Sequence, residues 1–208
     1  MKESRKFHPH NLDILNDPDR LGWENPDVIW RELGLTDARV LVDIGAGTGF
    51  FAVPFARKSP AVTVHACDLQ EEMLAWLREH LPADLQGRIK LVKMEETTVP
   101  LPDGIADLVY MINLHHELED RGAIMAESFR LLKKGGTVAV ADWKKTETPM
   151  GPPQEIRVTE AEISADLQRA GFRDIRQHPV LPYHNFVTGR KSGGGPAFPS
   201  SSSSLPIR

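Results

Sequence analysis

The sequence predicts a doubly wound α/β fold, in which helices cover both faces of a seven-stranded sheet and form three layers. Two observations favour this fold. Apolar or β-branched runs alternate with helical patterns between residues 40 and 141, and this alternation requires a parallel sheet with right-handed crossovers. The first apolar run, residues 40–42, opens directly into a turn with three alternating glycines, which is typical of a ligand-binding strand-to-helix turn.

Each element of this fold has its own signal in the chain. Residues 49–58 predict a helix after the glycine turn, and Pro54 should kink it because proline has no amide proton to donate. β-branched and apolar runs indicate the other strands, and apolar residues at helical spacing indicate the other helices. Strands are predicted at 62–68, 89–94, 106–112, 137–141, 174–178 and 184–188, and helices at 70–81, 120–132 and 159–170.

Residues at the helix ends predict where two of these helices begin or stop. The run Lys-Lys-Gly-Gly at 133–136 suits the C-terminal end of the helix at 120–132, because lysine complements the dipole and glycine suits the C-cap. Thr159 and Glu162 have the spacing of a capping box at a helix N-terminus. Gly171 is then the expected C-cap of the same helix.

Length and composition fit one sizeable α/β domain. The chain has 208 residues, of which 40% are hydrophobic and 26% are charged. The formal net charge is -4 and the charges are mixed, so no basic surface for nucleic acid is expected. The single cysteine, Cys67, excludes an intrachain disulfide and favours a reducing compartment. No apolar run approaches the roughly 20 residues of a membrane span, and we expect a cytoplasmic monomer or homodimer.

Three segments are distinguished along the chain. Residues 1–36 are expected to form an N-terminal lid or helical segment, and residues 37–190 the main ligand-binding domain. Residues 191–208 are rich in Gly, Pro and Ser and are expected to be a disordered tail or an added remnant. His8 belongs to a His-Pro-His run in the first segment, which suits either a lid loop or an ordinary surface loop.

The glycine turn indicates which class of ligand the domain binds. Asp43 and the glycines at 45, 47 and 49 have the spacing Asp-x-Gly-x-Gly-x-Gly, which lets a ligand approach the main chain closely. A dinucleotide fingerprint, Gly-x-Gly-x-x-Gly, needs glycine or alanine where this chain has Phe50. The spacing therefore favours a ligand other than NAD, and a tight turn in another nucleotide-binding protein is the alternative.

Polar residues follow the ends of four predicted strands. In an open doubly wound sheet, the carboxyl ends of the strands line the ligand crevice. These residues are Asp43, Asp68, Glu95 with Glu96, and the segment 113–117. Asp68 lies 19 residues beyond Gly49, and a carboxylate there can accept hydrogen bonds from the two hydroxyls of a ribose. An N-terminal cap for the helix at 70–81 is an equally suitable role for Asp68.

The glycine motif and the spaced Asp68 resemble those of class I S-adenosylmethionine-dependent methyltransferases, which have a Rossmann-like fold. Residues 94–104 are also similar to this family's acid followed by Leu-Pro-x-Pro-Asp, with Val99 in place of the leucine. The resemblance covers residues 7–190. It implies a mostly parallel seven-stranded sheet with an antiparallel hairpin at its C-terminal edge.

The resemblance also implies a cofactor and the residues that bind it. The expected cofactor is S-adenosyl-L-methionine, and no metal ion is expected. In the family, one acid binds the ribose and a second takes the adenine amino group, which here implies Asp68 and Glu95. The residues implied in cofactor binding are Asp43, Gly45, Ala46, Gly47, Gly49, Asp68, Leu69, Glu95, Glu96 and Asn113.

The acceptor side is expected to use residues that follow the later strands. Histidine titrates near neutral pH, so His116 is the candidate base for an acceptor that has to lose a proton. A structural role in packing is the alternative for His116, and His115 is expected to point inward. Adjacent residues rarely bind one metal ion, so a metal site at 115–117 is not favoured. The residues expected around the acceptor are His8, His115, Trp143, Lys144 and Tyr183.

Two of these acceptor candidates have specific expected roles. The ring of Trp143 can stack on a planar acceptor. The ammonium group of Lys144 can attract an anionic acceptor, although a lysine that leaves a strand is more often simply solvated.

The resulting hypothesis is a methyltransferase that acts by in-line transfer to a small molecule. The resemblance extends to the group that includes quinone-biosynthesis C-methyltransferases and arsenite methyltransferases. The arsenite branch uses several cysteines and is disfavoured, because this chain has only Cys67. An NAD-dependent oxidoreductase and a non-catalytic S-adenosylmethionine-binding module are the alternatives.

Overall fold

A computed structural model of the protein describes residues 12–193. The expected lid residue His8 and residues 194–208 of the expected tail lie outside this range. The described helices are α1 (Leu12–Leu15), α2 (Pro26–Leu33), α3 (Ala52–Ala56), α4 (Glu71–His80), α5 (Arg121–Leu131) and α6 (Glu160–Arg169), with 3-10 turns at Pro18–Gly22 and Ala83–Leu85. None of these helices is both long enough and apolar enough to cross a membrane.

Seven strands form one sheet, as the sequence predicts. They are β1 (Val40–Ile44), β2 (Thr63–Asp68), β3 (Ile89–Lys93), β4 (Ala106–Ile112), β5 (Leu132–Trp143), β6 (Arg173–Gln177) and β7 (His184–Arg190). Their order in the sheet is β3-β2-β1-β4-β5-β7-β6. The first five strands pair in parallel, and β7 runs antiparallel to both β5 and β6. The doubly wound sheet with an antiparallel hairpin at its edge is therefore confirmed.

Helices cover both faces of the sheet and complete the three predicted layers. On one face, α2, α3 and α4 bury Ile29, Phe55 and Leu77 in a core shared with β1, β2 and β4. On the opposite face, α5 and α6 bury Ile124 and Leu167. Successive side chains of a strand alternate between the two faces. Two adjacent residues at the end of β5 therefore belong to different layers.

The helix that follows the glycine turn differs from its prediction. It is five residues long, Ala52–Ala56, and does not extend over residues 49–58. The three glycines of the turn have φ angles of 76°, 52° and 82°, which lie in the left-handed region, so an α-helix cannot begin before the turn ends. Pro54 consequently lies in the first turn of a short helix, where its missing amide proton breaks no hydrogen bond. The helix therefore begins later than predicted and has no reason to kink at Pro54.

The beginning of β5 also differs from its prediction. Residues 133–136 do not cap α5 but belong to β5, which spans Leu132–Trp143. The register between β4 and β5 shifts at this point, as in a β-bulge, and the strand absorbs the two glycines. The strand also continues past its predicted end at Ala141, because it pairs with β7 up to its last residue. Asp142 and Trp143 therefore lie within the strand.

The predicted capping box of α6 is confirmed. Thr159 Oγ1 accepts a hydrogen bond from the Glu162 amide at 3.2 Å. Glu162 Oε2 accepts one from the Thr159 amide at 2.7 Å, so both halves of the motif are present. Gly171 follows the helix with a φ of 97°, which suits its predicted role at the helix end.

Candidate active site

The glycine turn joins β1 to α3 at the carboxyl edge of the sheet. Gly45 and Ala46 donate their amides to the Cys67 carbonyl at 2.9 and 3.0 Å, which fixes the turn against β2. A Cβ atom at position 45 would come within 2.9 Å of the Leu114 side chain, and one at Gly49 within 2.6 Å of a leucine of α4. Packing and backbone conformation therefore both require glycine at these two positions.

Asp43 is the first buried acid of the site. It lies near the end of β1, is 3% exposed and pairs in register with Tyr110 of β4. Burial raises the pKa of Asp43 to about 8, the Tyr110 hydroxyl lowers it, and the Asp68 carboxylate raises it. Its Oδ2 atom has no hydrogen-bond partner among the described residues. A buried carboxyl oxygen without a partner is costly, which makes it a candidate ligand-facing group.

Asp68 ends β2 and accepts two backbone hydrogen bonds. Its Oδ2 accepts from the Gly47 amide and its Oδ1 from the Gln70 amide, both at 2.8 Å. Burial raises the pKa of Asp68, against the opposing effects of these bonds and of Lys93. The carboxylate supports both the glycine turn and the start of α4, and each oxygen keeps a lone pair for a ligand hydroxyl. The two roles expected for Asp68 are therefore compatible.

The acids expected near adenine lie at the rim of the site. Glu95 and Glu96 follow β3, and both are exposed. The Glu95 amide donates to the Thr98 carbonyl at 3.0 Å. Leu69 is half-buried, and its carbonyl accepts from Lys93 Nζ at 2.6 Å, which links the ends of β2 and β3. The contact of these residues with adenine stays a prediction.

Asn113 follows β4 in a left-handed conformation with a φ of 60°. Its backbone amide donates to the Ala141 carbonyl at 2.9 Å, and its Nδ2 donates to Glu24 Oε2 at 2.6 Å. Its Oδ1 is buried and has no partner within residues 12–193. Asparagine adopts the left-handed conformation readily, so the support for the predicted place of Asn113 beside the ligand comes from its buried and unpartnered Oδ1.

Two charged residues of the N-terminal segment, neither of which is among the predicted site residues, lie at the site. Glu24 is 1% exposed and forms an ion pair with Arg20, which is 8% exposed. The guanidinium carbon of Arg20 also lies 3.9 Å from the centroid of the Phe50 ring. Burial raises the pKa of Glu24, whereas Arg20 and Asn113 lower it. Desolvation offsets much of the Coulomb energy of such a buried pair, so stability alone does not account for it.

His116 and Asp142 form a buried pair between the loop after β4 and the end of β5. His116 Nδ1 lies 2.7 Å from Asp142 Oδ1, and the His116 amide donates to Asp142 Oδ2 at 2.9 Å. Burial lowers the pKa of His116, but the hydrogen bond and charge of Asp142 and the charge of Glu117 outweigh burial, so the net pKa is raised. A carboxylate on Nδ1 leaves Nε2 as the atom that can take a proton.

His116 borders a cavity of about 220 Å³ beside α5 and α6. The cavity is lined by charged side chains of both signs, including Glu119, Arg121, Lys145, Arg157 and Glu162. Across the part of the chain that the structure describes, no group of three or more His, Cys, Asp or Glu residues is arranged to hold a metal ion. The surroundings of His116 are therefore polar, with mixed charge.

His115 points into the protein interior, as expected. Its side chain is fully buried, and its Nε2 lies 2.9 Å from Asp166 Oδ2 of α6. Asp166 also lies 3.2 Å from Arg121 Nε. These contacts favour a structural link between the β4 loop and α6, and the expected contact of His115 with an acceptor stays a prediction.

Trp143 is more enclosed than its expected stacking role requires. It is 7% exposed, and its ring centroid lies 4.3 Å from that of His184. The guanidinium carbon of Arg157 lies 5.6 Å from the same ring. β5 extends through Trp143 and pairs with β7, so the indole packs against His184 of β7. Only a small part of the ring surface is therefore exposed for stacking on a planar acceptor.

Lys144 and Tyr183 connect the end of β5 to the final hairpin. Lys144 Nζ donates to the carbonyls of Leu181 and Pro182 at 2.9 and 3.0 Å. The Lys144 amide donates to the Tyr183 carbonyl at 2.8 Å, and the Tyr183 side chain is half-buried. The ammonium group expected to attract an anionic acceptor is therefore engaged by backbone carbonyls.

His184 opens β7 and is 1% exposed. Neither of its ring nitrogens has a hydrogen-bond partner among the described residues. Its Nε2 lies 3.6 Å from Glu24 Oε2. Burial lowers the pKa of His184 to about 3, so the ring is neutral at neutral pH. His184 pairs with Trp143 across the strands, which puts both side chains on the face of the sheet opposite to Asp142.

The site lies across the carboxyl ends of β1, β2 and β4, where the strand order reverses. It combines a glycine turn with two buried acids, Asp43 and Asp68. Ligands of doubly wound sheets bind at this place, and a carboxylate after the second strand suits a ribose. The fold and the site together define a nucleoside-binding protein of the doubly wound α/β class.

Similarity to known proteins identifies the family. A family model described as a methyltransferase domain matches residues 42–140. The crystal structure of a SAM dependent methyltransferase from Aquifex aeolicus has a TM-score of 0.82 at 33% identity, and the match covers 89% of this chain and 100% of that one. The chain belongs to the S-adenosylmethionine-dependent methyltransferases.

Two curated relatives act on different atoms, according to their names. Malonyl-[acyl-carrier protein] O-methyltransferase of Geobacter sulfurreducens is 28% identical over 72% of this chain and 64% of that protein. Ubiquinone/menaquinone biosynthesis C-methyltransferase of Cupriavidus metallidurans is 29% identical over 66% of this chain and 58% of that protein. The chain thus spans less than two thirds of the length of either relative.

Proposed function

We propose that the protein is an enzyme that transfers the methyl group of S-adenosyl-L-methionine to a small-molecule acceptor. The observation that carries this proposal is the convergence of the glycine turn, Asp43 and Asp68 at the edge where the strand order reverses. Membership of the methyltransferase family supports the same chemistry. The single cysteine and the net charge of -4 support a cytoplasmic protein whose acceptor is not a nucleic acid. We also propose that the protein is a monomer or a homodimer.

The residues of the site fit this cofactor. Asp68 keeps lone pairs for the two ribose hydroxyls, and Glu95 follows β3 at the rim for the adenine amino group. The unpartnered Asp43 Oδ2 and Asn113 Oδ1 are acceptors for an ammonium group such as that of the methionine part. When bound, the cofactor supplies a methyl group activated by the sulfonium charge.

Methyl transfer from a sulfonium needs little acid–base catalysis by the protein. A lone pair of the acceptor forms a bond to the methyl carbon while the carbon–sulfur bond breaks, and its electron pair returns to sulfur. The protein mainly orients the reactants and excludes water. For an acceptor that holds a proton, we propose that His116 Nε2 takes it while Asp142 orients the ring through Nδ1.

Titration with S-adenosylhomocysteine and with NADH tests the nature of the donor. We expect S-adenosylhomocysteine to bind, and Asp68→Ala to weaken its binding by about 1–3 kcal/mol because the ribose hydroxyls lose their acceptors. Glu71→Ala is the matched control, since this acid of α4 is 58% exposed. Tighter binding of NADH would overturn the proposal in favour of an oxidoreductase. If Asp68→Ala bound S-adenosylhomocysteine as tightly as the wild type, Asp68 would only support the glycine turn and the start of α4.

The role of His116 is tested by turnover. A screen of small phenols, quinols, thiols and amines that monitors release of S-adenosylhomocysteine first identifies an acceptor. For a protic acceptor, His116→Ala should lower kcat by about 100-fold, as expected for loss of a general base, with donor affinity unchanged. His80→Ala is the control, because this exposed histidine stacks on Trp76 away from the site. Full activity of His116→Ala contradicts the assignment, and a protein inactive on every acceptor fits a non-catalytic binding module.

A further inference from the structure

We propose that Glu24 attracts the sulfonium of S-adenosyl-L-methionine and thereby makes the site prefer this donor to its demethylated product. The inference rests on the proposed function, because it requires the donor to occupy the crevice beside the glycine turn. Glu24 lies before residues 42–140, which match the family model, so the match itself says nothing about it.

The position of the N-terminal segment, residues 12–24, is the first argument. A Cβ atom placed on Gly47 would lie 3.7 Å from Leu15 Cδ1. Arg20 lies over the ring of Phe50, which directly follows the glycine turn. The segment therefore lies beside the glycine turn.

Contacts of Glu24 with the end of β4 are the second argument. Glu24 Oε2 accepts from Asn113 Nδ2 at 2.6 Å. The next residue, Leu114, is the side chain that a Cβ atom at Gly45 would meet at 2.9 Å. Since β1 and β4 are neighbours in the sheet, Glu24 lies near both the end of β4 and the start of the turn. The proposed place of the methionine part of the donor is beside these two strand ends.

Unpaired polar atoms beside Glu24 are the third argument. Asn113 Oδ1 and both ring nitrogens of His184 are buried and have no hydrogen-bond partner among the described residues. These two side chains contact or approach Glu24 Oε2, at 2.6 and 3.6 Å. Buried polar groups are almost always paired in native proteins, so this cluster is a place where we expect a polar ligand to bind.

Arg20 does not use the whole carboxylate of Glu24. The ion pair joins Arg20 Nε to Glu24 Oε1, whereas Oε2 faces the neutral side chains of Asn113 and His184. One carboxylate oxygen is thus anchored and the other is directed toward uncharged groups. The charge-assisted bond to Arg20 fixes the orientation of the Glu24 carboxylate.

The charge change of the reaction explains what such a carboxylate does. The donor has a positive sulfonium, whereas the sulfur of S-adenosylhomocysteine is neutral, and both have the same ammonium and carboxylate groups. In a site with little water, the attraction between a carboxylate and the sulfonium favours the donor alone. Because this attraction already exists before the reaction, it assists exchange of product for donor and not the chemical step.

Glu24→Gln separates the charge of this residue from its shape. We expect the Kd for S-adenosyl-L-methionine to rise by about tenfold, while the Kd for S-adenosylhomocysteine changes by less than about threefold. Isothermal titration of both ligands at one pH measures the two constants. Asp27→Asn is the matched control, because this carboxylate of α2 is 76% exposed, and both constants should stay at their wild-type values.

A double variant keeps the test decisive if Glu24→Gln leaves the Arg20 charge unpaired and fails to fold. Arg20→Gln with Glu24→Gln removes both charges, and we expect the same selective loss of donor affinity. An equal rise in the Kd of both ligands, or no change in either Kd, overturns the inference. The N-terminal segment would then have only a structural role beside the glycine turn. If the wild-type protein binds neither ligand, the proposed function itself fails, which is a distinguishable result.

Discussion

Asp43→Asn is expected to stabilise the ligand-free protein at alkaline pH. The folded protein raises the pKa of Asp43 from 3.8 to about 8. Between these two values the unfolded chain releases the proton and the folded protein keeps it, so wild-type stability falls as the pH rises. Asparagine has no proton to release, and the variant should gain roughly 3–6 kcal/mol in free energy of unfolding at pH 9 and almost nothing at pH 4. Urea denaturation across this pH range measures the difference.

The same variant should bind the donor poorly. Without a ligand Asp43 keeps its proton at neutral pH, and we expect the ammonium group of the methionine part to lower the pKa of Asp43 and to bind the resulting carboxylate. Asparagine keeps the shape of Asp43 but cannot ionise in this way, and we expect at least a tenfold rise in the Kd for S-adenosyl-L-methionine. The free energy of unfolding and the affinity for the donor therefore change in opposite directions, as expected when a buried group serves function at a cost to stability. A variant that is less stable at pH 9 than the wild type contradicts this account.

Asp107→Asn is the matched control, with the opposite sign. Asp107 lies at the far end of the sheet, where it accepts from the Arg39 and Val40 amides and from Lys133 Nζ. Burial raises its pKa, but the Lys133 and backbone bonds outweigh burial, so the net pKa is lowered. Its contribution to stability is present above its unfolded pKa. Asp107→Asn should therefore lower stability at neutral pH, where Asp43→Asn raises it.

Asp142→Asn is expected to cause the second large effect, a loss of about 2–4 kcal/mol in free energy of unfolding at pH 6. Asp142 is fully buried and accepts hydrogen bonds from the His116 amide, His116 Nδ1 and the Trp143 amide. The amide group of asparagine turns one of these acceptors into a donor and leaves a buried histidine without its counter-charge. Thermal and urea denaturation measure the loss.

The pH dependence of this loss tests the pair itself. Burial raises the pKa of Asp142, but the bonds and charge of His116 outweigh burial and lower it, while the pKa of His116 is raised. A lowered acid pKa contributes stability above about pH 4, and a raised histidine pKa contributes it below about pH 6.5. The difference between wild type and variant should therefore be largest between these values and decrease as the pH rises through the folded pKa of His116.

Asp120→Asn serves as the control for this second prediction. Asp120 is the exposed N-cap of α5 and accepts from the Ala123 amide, and asparagine caps a helix about as well as aspartate. Its stability should stay close to that of the wild type. A loss in Asp142→Asn that is constant from pH 4 to pH 9 would show that the histidine charge is not involved.

The regular elements of the fold are predictable because their signals are local. The strand β4 has the predicted bounds, since a strand buried on both faces is a continuous apolar run. The capping box of α6 is predictable because both partners lie within four residues of each other. The beginnings of α3 and β5 are not predictable in this way, because one depends on the φ angles of the glycine turn and the other on the register with β4.

The donor side of the site follows from the sequence for the same reason. Asp43, Asp68 and Asn113 each lie at or next to the end of a strand, and parallel strands of a doubly wound sheet bring their carboxyl ends to one edge. Their ligand contacts stay predictions, but their convergence is a consequence of a repeating chain pattern. The glycine spacing adds the class of ligand, because only glycine permits these backbone angles at such close packing.

The contacts of Glu24 and the burial of Trp143 were decided by tertiary structure alone. Glu24 and Asn113 are 89 positions apart, and no local pattern relates them. His184 meets Glu24 only because β7 inserts between β5 and β6, and the same pairing buries Trp143. The sequence by itself determined the sheet, the glycine turn and the acids at the strand ends, since these depend on neighbours in the chain. Long-range packing decides which side chains are buried together at this edge of the sheet. Only the tertiary structure therefore determined the cluster of Glu24, Asn113 and His184.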